Sequence, residues 1–239
     1  FKEGDCVKKA VFWDFDGTLV VSNSLWSTSI LAALRQLDPD TAVTLPQIRK
    51  YTKTGFTWNA PDNDHRQLVG ERWWSYTSGM IADIYRQCGI SEPLARAASQ
   101  RQRQLVMERE RYWLYADAPW ILQKVRQAGW ENHLLSNHVP ELNEIIEKMG
   151  LASYFTTMTI SAQEGYDKPR QELFEIALER AGHPDCCWMV GDNPKADGMG
   201  GRAAGMRTAL VHTVVPDTMQ TEVDLVVSRL EELTAIFSF

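Results

Sequence analysis

Two aspartates one residue apart, Asp14 and Asp16 in the stretch DFDGT, are the residues best placed to do chemistry. They follow the apolar run Val11–Trp13, which predicts a buried strand, and Gly17 permits a sharp turn immediately after it. A pair of carboxylates at a strand's C-terminal end sits where ligands bind in open α/β sheets. Other polar groups recur at comparable places: Ser136 and Asn137 after the apolar HLL, Lys168 in the loop after the strand expected to end at Ser161, and Asp192, Asn193 and Asp197 after WMVG. Each has a mundane reading alone, as a helix cap, a surface lysine or a turn. Together they fall in loops that a parallel sheet delivers to a single edge. Three of those loops run into prolines, Pro140, Pro169 and Pro194. Proline favours the first helical turn, so three helix N-termini with free N–H groups are expected beside one anion-binding pocket.

Positioning such residues takes alternating strands and helices. Strands are expected at Val11–Trp13, Asn132–Leu135, Met158–Ser161, Trp188–Val190, Thr208–Val211 and Leu225–Val227. The intervening helices are expected at Pro119–Ala128, Pro140–Met149, Pro169–Ala181 and Pro194–Ala204, with a last one at Leu230–Ile236. Repeated βα units imply a Rossmann-like, doubly wound, mostly parallel sheet. Between the first strand and the second unit the periodicity is helical throughout, with helices expected at Leu25–Leu37, Pro46–Lys53, His65–Gln87 and Ser91–Arg111. This reads as an inserted all-helical domain. The expected division is a core of residues 1–22 and 115–239 and an insertion of residues 23–114, with the segment LVVSNS as the hinge.

The 239 residues carry a formal net charge of −6 and therefore no overall basic field to attract nucleic acid or an anionic membrane. An acidic protein that handles an anion needs a local positive device. The four cysteines, Cys6, Cys88, Cys186 and Cys187, show no CxxC spacing and read as free buried thiols in a reduced, cytoplasmic setting. No apolar run approaches membrane-spanning length. No interface signature separates a monomer from a homodimer.

The motifs DFDGT, LLSN, GYDKP and VGDNPKAD, in that order, resemble those of the haloacid dehalogenase superfamily, most of whose members are phosphatases. The resemblance covers essentially the whole chain, and the helical insertion resembles the C1 cap that follows the first motif. It implies that Asp14 attacks phosphorus to form an aspartyl-phosphate, that Asp16 acts as general acid and base, and that Thr18, Ser136 and Asn137 bind near the phosphoryl group. It also implies Mg²⁺ held by Asp14, the Asp16 backbone carbonyl and Asp192. Asp197 would then orient Lys168, the cation that neutralises the transferring group. Charge counting agrees: three aspartates and a phosphate dianion exceed what one lysine can balance, and oxygen ligands suit Mg²⁺.

The implied substrate is a small phosphorylated metabolite enclosed by the cap. Trp58, Asn59, His65 and Arg72 are candidate specificity residues, the segment GFTWNAPDNDH being rich in turn formers and polar groups. Trp26, Lys53, Phe56, Trp73 and Trp74 are further candidates, although at least one of the adjacent Trp73 and Trp74 is expected in the cap core. The arginine run Arg96–Arg111 reads as a solvated helix face with local ion pairs. Other activities share these motifs. A sugar-phosphate mutase differs mainly in its cap, a phosphonate hydrolase would need a cap lysine such as Lys50 or Lys53, and a 2-haloacid dehalogenase has no need of Asp16. A non-catalytic module that senses a phosphometabolite is the alternative from another class.

Overall fold

The computed structural model describes residues 7–21, 24–214 and 223–237. Cys6 and the hinge residues Ser22 and Asn23, where the expected domain boundary falls, lie outside the described residues. No helix among the described residues is long and apolar enough to cross a membrane.

Six strands form one parallel sheet: β1 (Lys9–Trp13), β2 (Glu131–Ser136), β3 (Phe155–Ile160), β4 (Cys186–Gly191), β5 (Arg207–Val211) and β6 (Leu225–Val227). Their spatial order is β3-β2-β1-β4-β5-β6. The order reverses at β1, so Trp13 is flanked by Leu134 on β2 and Val190 on β4. A crevice opens beyond the strand ends at such a reversal.

The residues after β1 fold first into four helices, α1 (Leu25–Arg35), α2 (Leu45–Tyr51), α3 (Glu71–Gln87) and α4 (Glu92–Val106). They bury a core of their own around Ile30, Leu34, Ile48, Ile81 and Tyr85. The sheet is then covered by α5 (Ala118–Gln127), α6 (Leu142–Lys148), the one-turn α7 (Ser161–Glu164) and α8 (Gln171–Arg180). Alternation along β1 feeds both faces. Val11 and Trp13 join Ile121 and Leu122 of α5 and Ile145 of α6, while Ala10 and Phe12 join Leu173 and Phe174 of α8. A strand buried on both faces must be apolar throughout, which is why it reads AVFW. The single polar atom in this run, Trp13 Nε1, donates to Asn132 Oδ1 at 2.8 Å, and Asn132 Nδ2 donates to the Leu122 carbonyl at 2.9 Å.

Several boundaries differ from expectation. The third helix begins at Glu71 rather than His65, because residues 57–70 form a loop that docks on the core. The fourth stops at Val106, and Arg109–Arg111 is a separate 3₁₀ turn. The third strand runs Phe155–Ile160, and Ser161 opens α7 instead of closing the strand. The expected helix Leu230–Ile236 is a 3₁₀ helix, Leu230–Ala235. Cys88, Cys186 and Cys187 are free but half-buried, not fully enclosed. The arginine run follows its bland reading, with Arg96 paired to Glu92 and Arg111 to Glu108, while Arg103 reaches Glu71 and the core residue Glu141.

Candidate active site

Asp14 is the first residue beyond β1, and its N–H donates to the Val190 carbonyl at 2.9 Å, so the parallel pairing extends to Asp14 itself. The strand's two-residue period puts Asp14 and Asp16 on one side and sends Phe15 between them into the apolar core. Gly17 then turns the chain with φ +79°, a conformation that disfavours any side chain. A Cβ there would also stand 2.2 Å from Asp192 Oδ2. The glycine thus serves the turn and the close approach of the two motif loops.

Ser136 ends β2 and donates from Oγ to Asp14 Oδ1 at 2.8 Å, across 122 residues of sequence. Lys168 reaches the same oxygen at 2.9 Å and Asp197 Oδ1 at 2.6 Å, and also donates to the Leu135 carbonyl at 2.9 Å. Its three ammonium protons are therefore spoken for, and the side chain is 2% exposed. Asn137 fixes the lysine's backbone from both sides, accepting from Lys168 N at 2.7 Å and donating to Lys168 O at 3.1 Å. Asp197 accepts from Asn193 N at 3.0 Å through its second oxygen. The Asp192 carboxylate accepts no hydrogen bond among the described residues. Thr18 Oγ1 is buried without a hydrogen-bond partner.

Of the three expected helix N-termini, one is found. Pro194 opens a π-helical segment, Pro194–Met199, but the Asn193 side chain already accepts from Lys195 N and Ala196 N. Pro140 and Pro169 stand two residues ahead of α6 and α8, which begin at Leu142 and Gln171. The positive device of the site is therefore mainly Lys168, and a cation if one binds.

Negative charge dominates the electrostatics of the cluster. Burial first, then Asp14 and Asp197, raises the Asp192 pKa to about 8. Asp197 is raised to about 6 by burial, although Lys168 opposes this. Burial disfavours the Lys168 charge, but Asp14 and Asp197 outweigh it and its pKa is raised. Asp16 keeps 41% of its side-chain surface open to the cavity, yet it is crowded enough by protein that burial, with help from Asp14, lifts it to about 7. His138 Nε2 lies 3.4 Å from Asp16 Oδ2, with its ring against Phe15 and Tyr112, and burial lowers its pKa to about 4. One oxygen from each of Asp14, Asp192 and Asp197 falls within a 4.8 Å cluster. Buried carboxylates that hold protons near neutrality are what a divalent cation would relieve.

A cavity of about 570 Å³ opens over this cluster. Core residues Asp14, Asp16, Asn137, Lys168, Asp192 and Asp197 line its floor, and Trp26, Trp58, Asn59 and Pro61 of the helical insertion line its other side. Trp58 and Asn59 thus stand where the sequence places them. His65 and Arg72 do not line the cavity. His65 is buried, with Nδ1 3.1 Å from Asp167 Oδ2, and Arg72 is directed outward to Gln67 Oε1 at 3.1 Å. Trp73 and Trp74 are both buried in the interior. His138, Lys195 and Asp167 carried too little sequence signal to be chosen. Only adjacency to Ser136-Asn137, Pro194 and Lys168 could have marked them.

The family model for haloacid dehalogenase-like hydrolases matches residues 8–205, which include every residue of this cluster. The chain belongs to that family. Among curated members of the haloacid dehalogenase-like hydrolases it is 38% identical to a phosphoserine phosphatase of Thermus thermophilus over 64% of this chain and 65% of that protein. It is also 38% identical to the pyrimidine 5′-nucleotidase YjjG of Escherichia coli, over 67% of this chain and 75% of that protein. The haloacid dehalogenase-like hydrolase fold is matched by the structure of YfnB from Bacillus subtilis, bound to magnesium, with TM-score 0.74 and 18% identity, covering 98% of this chain and 100% of that one.

Proposed function

We propose that the protein is a Mg²⁺-dependent phosphatase that hydrolyses a small phosphate monoester through an aspartyl-phosphate on Asp14. The observation that carries this reading is the setting of Asp14. Ser136 and Lys168 both bind Oδ1, and Oδ2 accepts no hydrogen bond among the described residues. One carboxylate oxygen is anchored and the other is left to attack.

The donor set fits Mg²⁺, since it consists of hard oxygen ligands in a cluster with excess negative charge. Both Asp197 oxygens are engaged, by Lys168 and by Asn193 N, so the carboxylate ligands would be Asp14 and Asp192, joined by the Asp16 backbone carbonyl. When bound, the ion would offset the charge of the carboxylates and the phosphoryl group.

The chain's own residues do the rest. Asp14 forms a bond to phosphorus as the ester P–O bond breaks, and Asp16, neutral below about pH 7, protonates the departing alkoxide. The resulting Asp16 carboxylate then takes a proton from the water that hydrolyses the aspartyl-phosphate, which restores both residues. Lys168 neutralises the transferring group, with Asp197 holding it in place. Thr18, expected to bind near the phosphoryl group, is fully buried and does not line the cavity, so it is given no contact with substrate in this reading. The reading includes a catalytic core of residues 1–22 and 115–239 with a cap of residues 23–114.

The phosphatase and nucleotidase relatives support this class of reaction, and the presence of Asp16 in the cavity, a second carboxyl group able to protonate a leaving oxygen, supports hydrolysis of an oxygen ester over dehalogenation. Turnover of 4-nitrophenyl phosphate with Mg²⁺ tests it. EDTA and Asp14→Asn should each abolish release of 4-nitrophenol, and unchanged turnover in the variant removes Asp14 as nucleophile.

A further inference from the structure

The cap side of the cavity differs in kind from the floor. Every ionisable side chain that lines it belongs to the core: Asp14, Asp16, His138, Lys168, Asp192, Lys195 and Asp197. The cap contributes Trp26, Trp58, Asn59 and Pro61, none of them charged. The two tryptophans form a wall with a backing. Trp58 stacks on Phe56 with ring centres 4.6 Å apart and planes 6° apart, and Trp26 packs on Phe56 at 4.6 Å and on Trp73 at 6.0 Å. Phe56 and Trp73 are buried, while Trp26 and Trp58 keep surface open. The cap cations Arg49 and Lys53 line a second cavity of about 370 Å³, which has Asp16, Trp26 and Trp58 in common with the first. Neither cation lines the first cavity, and both carry the sign that repels an ammonium.

The wall is also fixed. The loop of residues 57–70 that carries Trp58, Asn59 and Pro61 is tied to the core loop holding Lys168. His65 Nδ1 lies 3.1 Å from Asp167 Oδ2, Gly70 N donates to the Ala162 carbonyl at 3.0 Å, and Arg170 donates to the Asn63 carbonyl at 3.3 Å. Gly165, at φ +77°, admits the Arg66 backbone so closely that a Cβ would meet Arg66 Cα at 2.5 Å. A wall held in place offers its apolar area to a ligand without an ordering cost.

With the phosphoryl group at Asp14, the leaving alcohol must face this wall. An amino-acid or aminoalkyl alcohol would bring an ammonium or a zwitterion against indole rings, with no carboxylate or guanidinium from the cap to pair with it. An indole face attracts a cation by only about 0.5–2 kcal/mol, set against the ammonium's lost hydration, and it gives a zwitterion's carboxylate no partner. An alcohol with an uncharged flat or apolar body, an aryl-alkyl alcohol or a nucleoside, buries surface on Trp26 and Trp58 and can bond to the Asn59 amide. Resting on the phosphatase reading above, we propose that the substrate is a phosphate monoester whose alcohol carries an uncharged, aromatic or otherwise flat apolar body facing the Trp26–Trp58 wall.

The test compares 2-phenylethyl phosphate with 2-aminoethyl phosphate and phosphoserine on the Mg²⁺-loaded full chain. All three are primary alkyl esters, and the amines are the better leaving alcohols, so intrinsic reactivity works against the expected result. The proposal predicts kcat/KM at least tenfold higher for 2-phenylethyl phosphate, and a uridine 5′-monophosphate rate on the same side of the gap. Trp58→Ala should collapse the ratio towards unity, and Trp58→Phe should restore most of it. Equal rates, or preference for the charged alcohols, in an enzyme whose acetyl phosphate turnover is lost in Asp14→Asn overturns the substrate class and leaves the phosphatase reading standing. Acetyl phosphate turnover that survives Asp14→Asn overturns the phosphatase reading itself. A wild-type ratio above ten that Trp58→Ala does not change removes the wall as its cause and overturns the proposal.

Discussion

The pair His65 and Asp167 permits a prediction whose size follows from burial and geometry. The two side chains are 8% and 2% exposed, 3.1 Å apart, and join the cap loop to the residue preceding Lys168. Burial is the main cause that raises the Asp167 pKa, with His65 among the groups opposing it. His65→Ala removes the imidazole and leaves the carboxyl group enclosed with only the Ser161 and Thr57 hydroxyls beside it, a change that costs roughly 3 kcal/mol when a buried pair is broken from one side. For a chain of this length that corresponds to a fall in Tm of about 6–12 °C. Asp167→Ala should cost a similar amount. The double variant should be less destabilised than the sum of the two by about 2 kcal/mol, because removing both partners leaves no orphaned charge. Urea denaturation of the wild type, the two single variants and the double variant measures the coupling directly. A coupling below about 0.5 kcal/mol, the range expected of independent sites, refutes the claim that this contact ties the cap loop to the core.

Further outcomes follow from the site. Asp192 must ionise to bind a cation, and with its pKa raised to about 8 it is mostly protonated at neutrality, so Mg²⁺ affinity should strengthen as pH rises from 6 to 8, with proton release near pH 7; calorimetric titrations that give one affinity across this range would contradict it. Lys168→Met strips the shared cation from Asp14 and Asp197 and should lower kcat by about 10²–10³-fold, measured by steady-state kinetics on protein shown by circular dichroism to be folded. Gly17→Ala places a methyl group 2.2 Å from Asp192 Oδ2 in a backbone conformation that costs about 1–2 kcal/mol; the Mg²⁺ concentration for half-maximal activity should rise by at least about tenfold, that is about 1.4 kcal/mol, and a wild-type value would show that the loop absorbs the change.

The core of the fold was legible because its signals are local. An apolar run followed by Asp or Ser marks a buried parallel strand and the loop beyond it, and Asp14, Ser136 and Asp192 all stand at such ends. Lys168 was found through its motif, although α7 intervenes between it and β3. Proline was a less faithful guide. Pro140 and Pro169 precede their helices by two residues, since a residue that fixes φ also suits the extended approach to a helix. Cap roles were the least legible. His65 has the composition of a ligand-binding residue and serves as a tether instead, because its partner Asp167 is 102 residues away and nothing in either neighbourhood announces the pairing. Trp58 and Trp73 have the same side chain, yet one lines the cavity and the other is buried. That difference depends on how the loop after α2 closes over α3, which no periodicity encodes.

The place of β1 in the sheet bears on how the protein is made. This strand leaves the ribosome well before either of its partners, β2 at Glu131 and β4 at Cys186. The helices that follow it are contiguous and bury a core among themselves, so they can fold while β1 waits. The four helices can then be folded before the crevice at the strand ends exists, and that crevice forms only when the chain has grown past Asp197. During that interval the apolar AVFW is an unpaired strand, open to pairing with other nascent chains. Synthesis stalled before β4 should therefore yield a folded cap on an aggregation-prone and inactive chain.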